Sequence, residues 1–215
     1  MQRIQFAALI LSLAMITPVA AQTVATATTD LNIRSGPGPE YPVIGHVREN
    51  QRINISGCIE GSLWCQVDQK GLQGWAYSQY MVMDSGGRRI VLTERGSEAA
   101  IPSVTYRAPP SEVFVRPDGV VTRSRVSGAI VAPTTTVVSD APVPAFSPPP
   151  AAVWNYVQSN PVDPVYLEGE VVVGAGLPQD VALSPVPDYR YQYVYVNSQP
   201  ILVDPVTRRV VHVFR

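Results

Sequence analysis

Residues 31–38 read Leu-Asn-Ile-Arg-Ser-Gly-Pro-Gly, an alternation of apolar and polar residues that runs into a turn rich in glycine and proline. The alternation over residues 31–34 indicates a short strand with one buried and one wet face. Glycine and proline restrict the backbone that follows, so the strand must end in a long loop. We expect this loop, residues 35–42, to form part of a binding surface.

Four further strands are predicted within residues 23–83, each short and bounded by glycine, proline, asparagine or aspartate. They span residues 43–47, 51–56, 64–68 and 73–77. In the second of these, Ile53 and Ile55 alternate with polar residues, and Gly57 then interrupts the alternation as a β-bulge would. So many short strands in one small segment predict a closed β-barrel.

The first residues predict an exported protein. A short positive start, Met1-Gln2-Arg3, precedes a nearly continuous apolar run over residues 6–16, and Val19-Ala20-Ala21 supplies the small residues of a signal-peptidase site. The apolar run is too short to cross a bilayer, which takes about 20 residues. We expect a signal peptide over residues 1–21 and a mature protein that is periplasmic or secreted, with no membrane anchor.

The chain has two cysteines, Cys58 and Cys65, which face each other across a predicted hairpin turn. An exported protein meets oxidising conditions and an even pair leaves no odd thiol, so we predict a disulfide. Closing this short loop stabilises the fold by roughly 2.5 kcal/mol in the chain-entropy picture. A catalytic thiol would need a base, and the chain offers only His46 in the same lobe and His212 far away, so we disfavour it. Zinc would need more ligands than these.

Proline divides the rest of the chain. Of the 21 prolines, 12 lie within residues 86–164, where alanine, serine, threonine and valine fill most other positions. Proline fixes φ and removes a backbone donor, so we predict a Pro/Ala/Thr-rich linker here, largely disordered. One candidate hairpin, residues 113–122, surrounds a Pro-Asp-Gly turn within it. The linker separates a first lobe, residues 22–85, from a second, residues 165–215.

The second lobe has β patterns of its own. Tyrosines at four alternating positions, from Tyr189 to Tyr195, fall on one face of a predicted strand. Turn residues at 197–200 lead into a strand over residues 201–203, and a second turn leads into a strand over residues 209–214. We predict a small β meander. Its tyrosine stripe is either sheet packing or an edge to another protein, with a sugar platform as the rarer alternative.

The first lobe resembles the bacterial SH3 domain family, known as SH3b. The resemblance covers about residues 23–83 and rests on the 31–38 stretch, Tyr41-Pro42-Val43-Ile44-Gly45, Gly57-Cys58, Trp64-Cys65-Gln66-Val67, and Gly71 through Gly74-Trp75-Ala76 to Tyr80. It implies an SH3-like small β-barrel in a protein that is mainly β. Family members are usually interpreted as binding modules for peptidoglycan or peptides, often attached to wall hydrolases. No hydrolase lobe is visible in this sequence.

The resemblance also nominates a ligand surface, made of the loop after the first strand and the aromatic residues around it. The nominated residues are Ser35, Pro37, Tyr41, Trp64, Trp75, Tyr77 and Tyr80. Aromatic rings give contact area at low entropic cost, and their hydroxyl and N–H groups add polar contacts to a peptide or sugar. The two tryptophans can instead be core residues, and for them we weight core packing above ligand contact.

The second lobe resembles a domain of unknown function, DUF1236, of exported proteobacterial proteins. The resemblance rests on Val172-Val173-Gly174 with Leu177-Pro178, Pro187-Asp188-Tyr189, Tyr195-Val196-Asn197, and Leu202-Val203-Asp204-Pro205 through Thr207-Arg208. It covers residues 165–215 and implies no known activity.

Composition disfavours several functional classes. The net charge is −1, and without the leader's Arg3 it becomes −2, so no basic surface for nucleic acid is expected. Two distant histidines and a paired couple of cysteines assemble no Ser-His-Asp, Cys-His or metal set, so we expect no enzyme, cofactor or metal. Glu168 and Glu170 share one face of a predicted strand at a spacing that glycosidases use, but solvated strand charges share it too.

Two hypotheses from different classes remain. In the first, the protein is a non-catalytic cell-envelope protein whose SH3-like domain binds peptidoglycan or a peptide. In the second, it is a structural or assembly protein of the periplasm without a small-molecule ligand, and the barrel packs against the chain's own proline-rich segment. We favour the first.

Overall fold

The N-terminal domain is an antiparallel β-sheet. The computed structural model describes residues 23–94, 101–107, 128–131 and 148–215. Its first eight strands are β1 (Thr23–Ala27), β2 (Leu31–Arg34), β3 (Val43–Val47), β4 (Arg52–Cys58), β5 (Trp64–Gln69), β6 (Leu72–Tyr77), β7 (Met81–Ser85) and β8 (Arg88–Val91). They pair in the order β3-β2-β6-β5-β4-β1-β7-β8. Short 3₁₀ turns at Ser78–Tyr80 and Leu92–Glu94 follow β6 and β8.

The alternation of apolar residues along the strands builds the core of this domain. In β4, Ile53 and Ile55 are buried, whereas Arg52 and Ser56 are exposed. The register of β4 against β5 shifts between Ile55 and Gly57, so the predicted β-bulge is confirmed. The buried apolar cluster also includes Ala25, Leu31, Ile33, Val47, Val67, Ala76 and Met81. Removing these side chains from water is the main stabilising contribution, at about 25 cal/mol per Å².

The five strands predicted from sequence are all present, and β1, β7 and β8 were not predicted. β1 pairs with both β4 and β7, and β7 forms a hairpin with β8 through Gly86 and Gly87. Both glycines have positive φ, which glycine adopts at no steric cost. Within the described residues no pairing joins β3 to β8, so the predicted closure of the barrel is not found there. The β7–β8 hairpin instead extends the sheet beyond β1.

A disulfide joins Cys58 at the end of β4 to Cys65 in β5, as predicted. The two residues are direct cross-strand partners, and their Cα atoms lie 3.9 Å apart. Both are buried in the core cluster. The bond therefore fixes the end of β4 against β5, just beyond the bulge at Gly57.

The C-terminal domain is a smaller antiparallel meander with one helix. Helix α1 spans Ala151–Ser159, and the strands are β9 (Ser184–Pro185), β10 (Gln192–Val196), β11 (Gln199–Val203) and β12 (Val210–Val213). They pair in the order β12-β11-β10-β9, which confirms the predicted meander. The β10–β11 hairpin turns at Asn197 and Ser198, both with positive φ. Two such residues in succession match the tight turn that suits the twist of a hairpin.

Helix α1 covers the tyrosine stripe. The Tyr193 hydroxyl donates to the Asn160 carbonyl (2.6 Å), and the Tyr195 hydroxyl donates to the Val157 carbonyl (3.2 Å). These hydroxyls satisfy carbonyl groups at the end of the helix, which have no partner within the helix. The tyrosine stripe is therefore packed inside the domain.

The C-terminal domain begins before residue 165, inside the region that the sequence predicts as linker.

Two shorter pieces of the predicted linker also pack on the folded domains. Residues 101–107 lie on the N-terminal domain, and residues 128–131 form isolated bridges with the C-terminal domain. The predicted signal peptide, residues 1–21, and the predicted hairpin, residues 113–122, lie outside the described residues. Among the residues that the structure describes, no helix is long and apolar enough to cross a membrane.

Candidate binding surface

Four of the aromatic residues predicted as ligand contacts come together on the N-terminal domain. β5 supplies Trp64, β6 supplies Trp75 and Tyr77, and the 3₁₀ turn after β6 supplies Tyr80. Trp64 and Tyr77 are cross-strand partners, and their rings meet edge to face with centroids 5.3 Å apart. The exposed fractions of Trp64, Trp75 and Tyr77 are 2%, 6% and 5%, so these three rings are covered. We call the four residues the aromatic cluster.

The chain itself covers the aromatic cluster. An extended segment, residues 101–107, lies beside the end of β4 and is named here the covering segment. The Cys58 amide donates to the Pro102 carbonyl, and the Val104 amide donates to the Cys58 carbonyl, each over 3.0 Å. Val104 and Tyr106 pack against the cluster. A surface nominated for a ligand is therefore occupied by the protein's own backbone and side chains.

Tyr106 sits between two of the nominated residues. Its ring meets Tyr41 edge to face with centroids 5.8 Å apart, and it meets Trp75 in the same way at 5.4 Å. Aromatic pairs in this arrangement stabilise by about 0.5–1.5 kcal/mol beyond their burial. Tyr41 belongs to the loop after β2, so this loop and β6 together form an aromatic pocket, filled here by Tyr106.

A buried arginine at the end of β2 holds that loop in place. The Arg34 guanidinium donates to the carbonyls of Pro39 (3.1 Å) and Tyr41 (2.9 Å). It also donates to the carbonyl of Asn197 in the C-terminal domain (3.4 Å). Burial lowers the pKa of Arg34, and the charge of Glu170 opposes that change. The geometry of the aromatic pocket is thus tied to the contact between the two domains.

The polar face of β2 packs on the C-terminal domain. Asn32 is fully buried there, and its side-chain amide donates to the Glu170 carboxylate and to Gln199 Oε1 (2.7 Å). The Gln199 amide donates back to Asn32 Oδ1 over 3.3 Å, and His46 Nδ1 lies 2.9 Å from the same oxygen. Buried polar groups that lack partners are costly, so this network favours one arrangement of the two domains. We call these four residues the interdomain cluster.

Glu170 supplies the carboxyl group of the interdomain cluster, and its pKa is strongly shifted. Burial raises its pKa to about 7, although the charges of Arg34 and Arg215 and the hydrogen bond from Asn32 each lower that pKa. Its Oε2 atom has no hydrogen-bond partner. A carboxyl group with a pKa near neutrality changes its charge within the ordinary range of cellular pH. The contact between the domains therefore contains a titratable group.

Two further contacts join the domains. The Trp64 indole N–H donates to the Glu168 carboxylate over 3.1 Å. Burial raises the pKa of Glu168, and the hydrogen bond from Trp64 opposes the rise. The Arg215 guanidinium donates to the Asp30 carbonyl (3.0 Å) and lies 3.7 Å from the Asp30 carboxylate. The aromatic cluster is therefore covered from two sides, by the covering segment and by the C-terminal domain.

A cleft of about 450 Å³ opens between the domains beside the interdomain cluster. Its polar lining residues are Glu40, His46, Tyr166, Ser198, Gln199 and Arg215. Partial burial, together with the charge of Arg215, lowers the pKa of His46, and the charge of Asp30 opposes the change. Within the described parts of the chain, no group of three histidine, cysteine, aspartate or glutamate side chains could hold a metal ion.

The structure divides the seven nominated residues by position. Two touch the covering segment, namely Tyr41 and Trp75. Three are the other members of the aromatic cluster, namely Trp64, Tyr77 and Tyr80. In the loop after β2, Ser35 is exposed and Pro37 is half-buried.

Sequence reasoning missed the covering segment and the interdomain cluster. The signal for the segment is the run Ser103-Val104-Thr105-Tyr106, in which Val104 and Tyr106 alternate with two hydroxyl residues as in a strand, although prolines precede and follow the run. No comparable signal marks Asn32, because a polar residue on a strand is expected to face water.

Comparison with known protein families assigns both domains. Residues 29–82 match the bacterial SH3 domain. Residues 156–215 match DUF1236, a domain of unknown function. Both predicted resemblances are confirmed, and the second match begins within α1, in agreement with a C-terminal domain that includes this helix. No curated protein matches the chain.

Proposed function

We propose that this protein, which combines a bacterial SH3 domain with a DUF1236 domain, is a non-catalytic binding protein of the cell envelope, exported to the periplasm or secreted. Its SH3 domain binds peptidoglycan or another peptide-bearing ligand of the envelope. One observation carries the proposal. The aromatic pocket of Tyr41 and Trp75 holds an extended peptide segment, which the chain itself supplies.

The hydrogen bonds beside the aromatic pocket favour a peptide over an apolar small molecule. The backbone of Cys58 both donates and accepts a hydrogen bond, which matches the repeating donors and acceptors of an extended chain. Peptidoglycan carries short peptides on its glycan strands, so such a pocket can hold wall peptides and protein segments alike.

Co-sedimentation with purified sacculi tests wall binding. We expect the folded chain that begins at Gln22 to pellet with sacculi above the level of an unrelated control domain. Tyr41→Ala removes one wall of the aromatic pocket and should lower the pelleted fraction several-fold, because most binding energy resides in a few aromatic contacts. Tyr189→Ala, a half-buried tyrosine of the C-terminal domain, is the matched control and should pellet like the wild type. Equal pelleting of the wild type and the control domain contradicts wall binding.

A second candidate function rests on the same segment. Residues 101–107 belong to the region predicted as linker, and they fill the SH3 surface within one chain. That arrangement favours a structural or assembly protein in which the domain packs on its own chain and takes no separate ligand. Under this alternative, the wild type does not pellet with sacculi. A variant in which Tyr106 no longer fills the aromatic pocket does not pellet either.

A further inference from the structure

The covering segment contacts the SH3 domain in the manner of an added β-strand. Ser103 forms a parallel bridge with Cys58, and the flanking amide and carbonyl groups of Cys58 complete two hydrogen bonds of 3.0 Å. A peptide bound in this way gains affinity from main-chain hydrogen bonds and specificity from alternate side chains.

The side chains of the segment alternate as that mode requires. Val104 and Tyr106 are half-buried and pack toward the aromatic cluster. Ser103 and Thr105 are exposed between and beside them. Two side chains at positions i and i+2 therefore carry the contact, a β-branched apolar residue followed by a tyrosine.

The SH3 domain is shaped to receive this segment. A Cβ atom added to Gly57 would overlap Val104 and would lie 2.8 Å from the Pro102 carbonyl oxygen, so only glycine at the bulge admits the segment. The adjacent disulfide fixes Cys58, whose backbone makes both hydrogen bonds. Bulge, disulfide and aromatic pocket together form a groove with a defined direction and two side-chain subsites.

We infer that this groove is a peptide-binding site that takes an extended protein segment in trans, carrying a β-branched residue and a tyrosine two positions later, and that residues 101–107 occupy it in cis as an autoinhibitory ligand. The inference rests on the proposed function and names its partner as a polypeptide segment rather than a glycan. The cis contact consists of two backbone hydrogen bonds, a valine and a tyrosine, a set that a similar segment can replace. A cis segment competes at an effective concentration on the order of millimolar, so the wild type should bind a trans peptide weakly.

The test uses the full chain from Gln22 and a synthetic peptide with the sequence of residues 100–108, Ala-Ile-Pro-Ser-Val-Thr-Tyr-Arg-Ala. The variant V104S/Y106S empties the groove in cis. By isothermal titration calorimetry, it should bind the peptide at least tenfold more tightly than the wild type does. The matched control S103A/T105A changes the exposed residues of the same segment and should bind like the wild type. A peptide with serine in place of its valine and tyrosine should bind none of the three proteins.

A second measurement covers the case in which V104S/Y106S does not fold. Excess peptide added to the wild type should displace the covering segment, and hydrogen exchange at the Val104 amide should then become at least several-fold faster. A folded V104S/Y106S that does not bind the peptide overturns the inference. So does unchanged exchange at Val104 in a wild type saturated with peptide.

Sacculus sedimentation of the same variant separates the two proposals. If V104S/Y106S pellets with sacculi but does not bind the peptide, wall binding stands and the polypeptide partner is wrong. If the variant binds the peptide and neither protein pellets, the groove is confirmed and wall binding is wrong.

Discussion

Glu170 lies fully buried between the domains, where Asn32 donates to one of its oxygens and the other oxygen has no partner. Burial favours the neutral carboxyl group, and this effect outweighs the attraction of Arg34 and Arg215 for the carboxylate. The result is a pKa of about 7 where a free glutamate has 4.5. Ionisation of this residue therefore opposes folding as the pH rises.

Glu170→Gln tests this linkage. Because the folded protein binds more protons than the unfolded chain between about pH 4.5 and 7, the free energy of unfolding of the wild type should fall as the pH rises through that window. Glutamine stays neutral and can still accept the hydrogen bond from Asn32. The variant should match the wild type near pH 4.5 and be more stable at pH 8, in urea denaturation followed by circular dichroism. Glu49→Gln, in an exposed turn, is the control and should leave the slope unchanged.

Three other groups, Glu168, His46 and His212, also change the free energy of unfolding with pH. The raised pKa of Glu168 adds to the fall in stability with rising pH. The lowered pKa values of His46 and His212 act in the opposite direction, because the unfolded chain binds their protons more readily. The difference between the variant and the wild type isolates Glu170. Equal slopes in both proteins would contradict the assigned environment of this residue.

At the scale of elements, the bulge in β4 links the sheet to the covering segment. Gly57 is buried, and its missing side chain leaves room for Val104 and the Pro102 carbonyl. The bulge was predicted because glycine interrupts a clear alternation of apolar residues. Its function in admitting another segment was not predicted, since that depends on a contact distant in sequence.

Gly57→Ala should weaken the binding of the covering segment to the SH3 domain, although it changes no residue of the segment. The added methyl group must displace Pro102 or Val104, at a cost of about 1–3 kcal/mol for overpacking. Hydrogen exchange at the Val104 amide, which donates to the Cys58 carbonyl, should become at least tenfold faster. Ser56→Ala, at the exposed neighbouring position, should leave the exchange unchanged. Protection at Val104 that survives Gly57→Ala would show that the segment does not depend on the bulge.

Strands could be predicted where buried and exposed residues alternate regularly. The prediction of strands and helices failed where they do not. The strands β2 to β6 carry clear alternation or clear turn residues, and all were predicted. β1 reads Thr-Val-Ala-Thr-Ala, whose small side chains give little contrast between its faces. Helix α1 is only nine residues long and follows three prolines, so its buried pair, Val153 and Val157, is too little to outweigh a proline-rich context.

At the scale of the whole molecule, the contact between the domains explains the largest difference between the predicted and the observed structure. The alternation at residues 31–34 predicts that Asn32 and Arg34 face water, yet all four residues are buried. The C-terminal domain covers that polar face and supplies Glu170, Gln199 and the Asn197 carbonyl as partners. A polar strand face has the same sequence pattern whether water or a polar protein surface lies against it, so alternation alone could not predict an interdomain contact.

This contact predicts how the two domains unfold. Asn32 pairs at once with Glu170 and Gln199, so Asn32→Ala removes its hydrogen bonds to both buried side chains. A buried polar group that loses its partner costs about 1–3 kcal/mol. The wild type should unfold in one calorimetric transition because the domains stabilise each other through this network. In Asn32→Ala, the two domains should unfold in separate transitions, whereas Asn54→Ala on β4 should keep one. A single transition at an unchanged midpoint in Asn32→Ala would mean that the interdomain cluster is not what couples the domains.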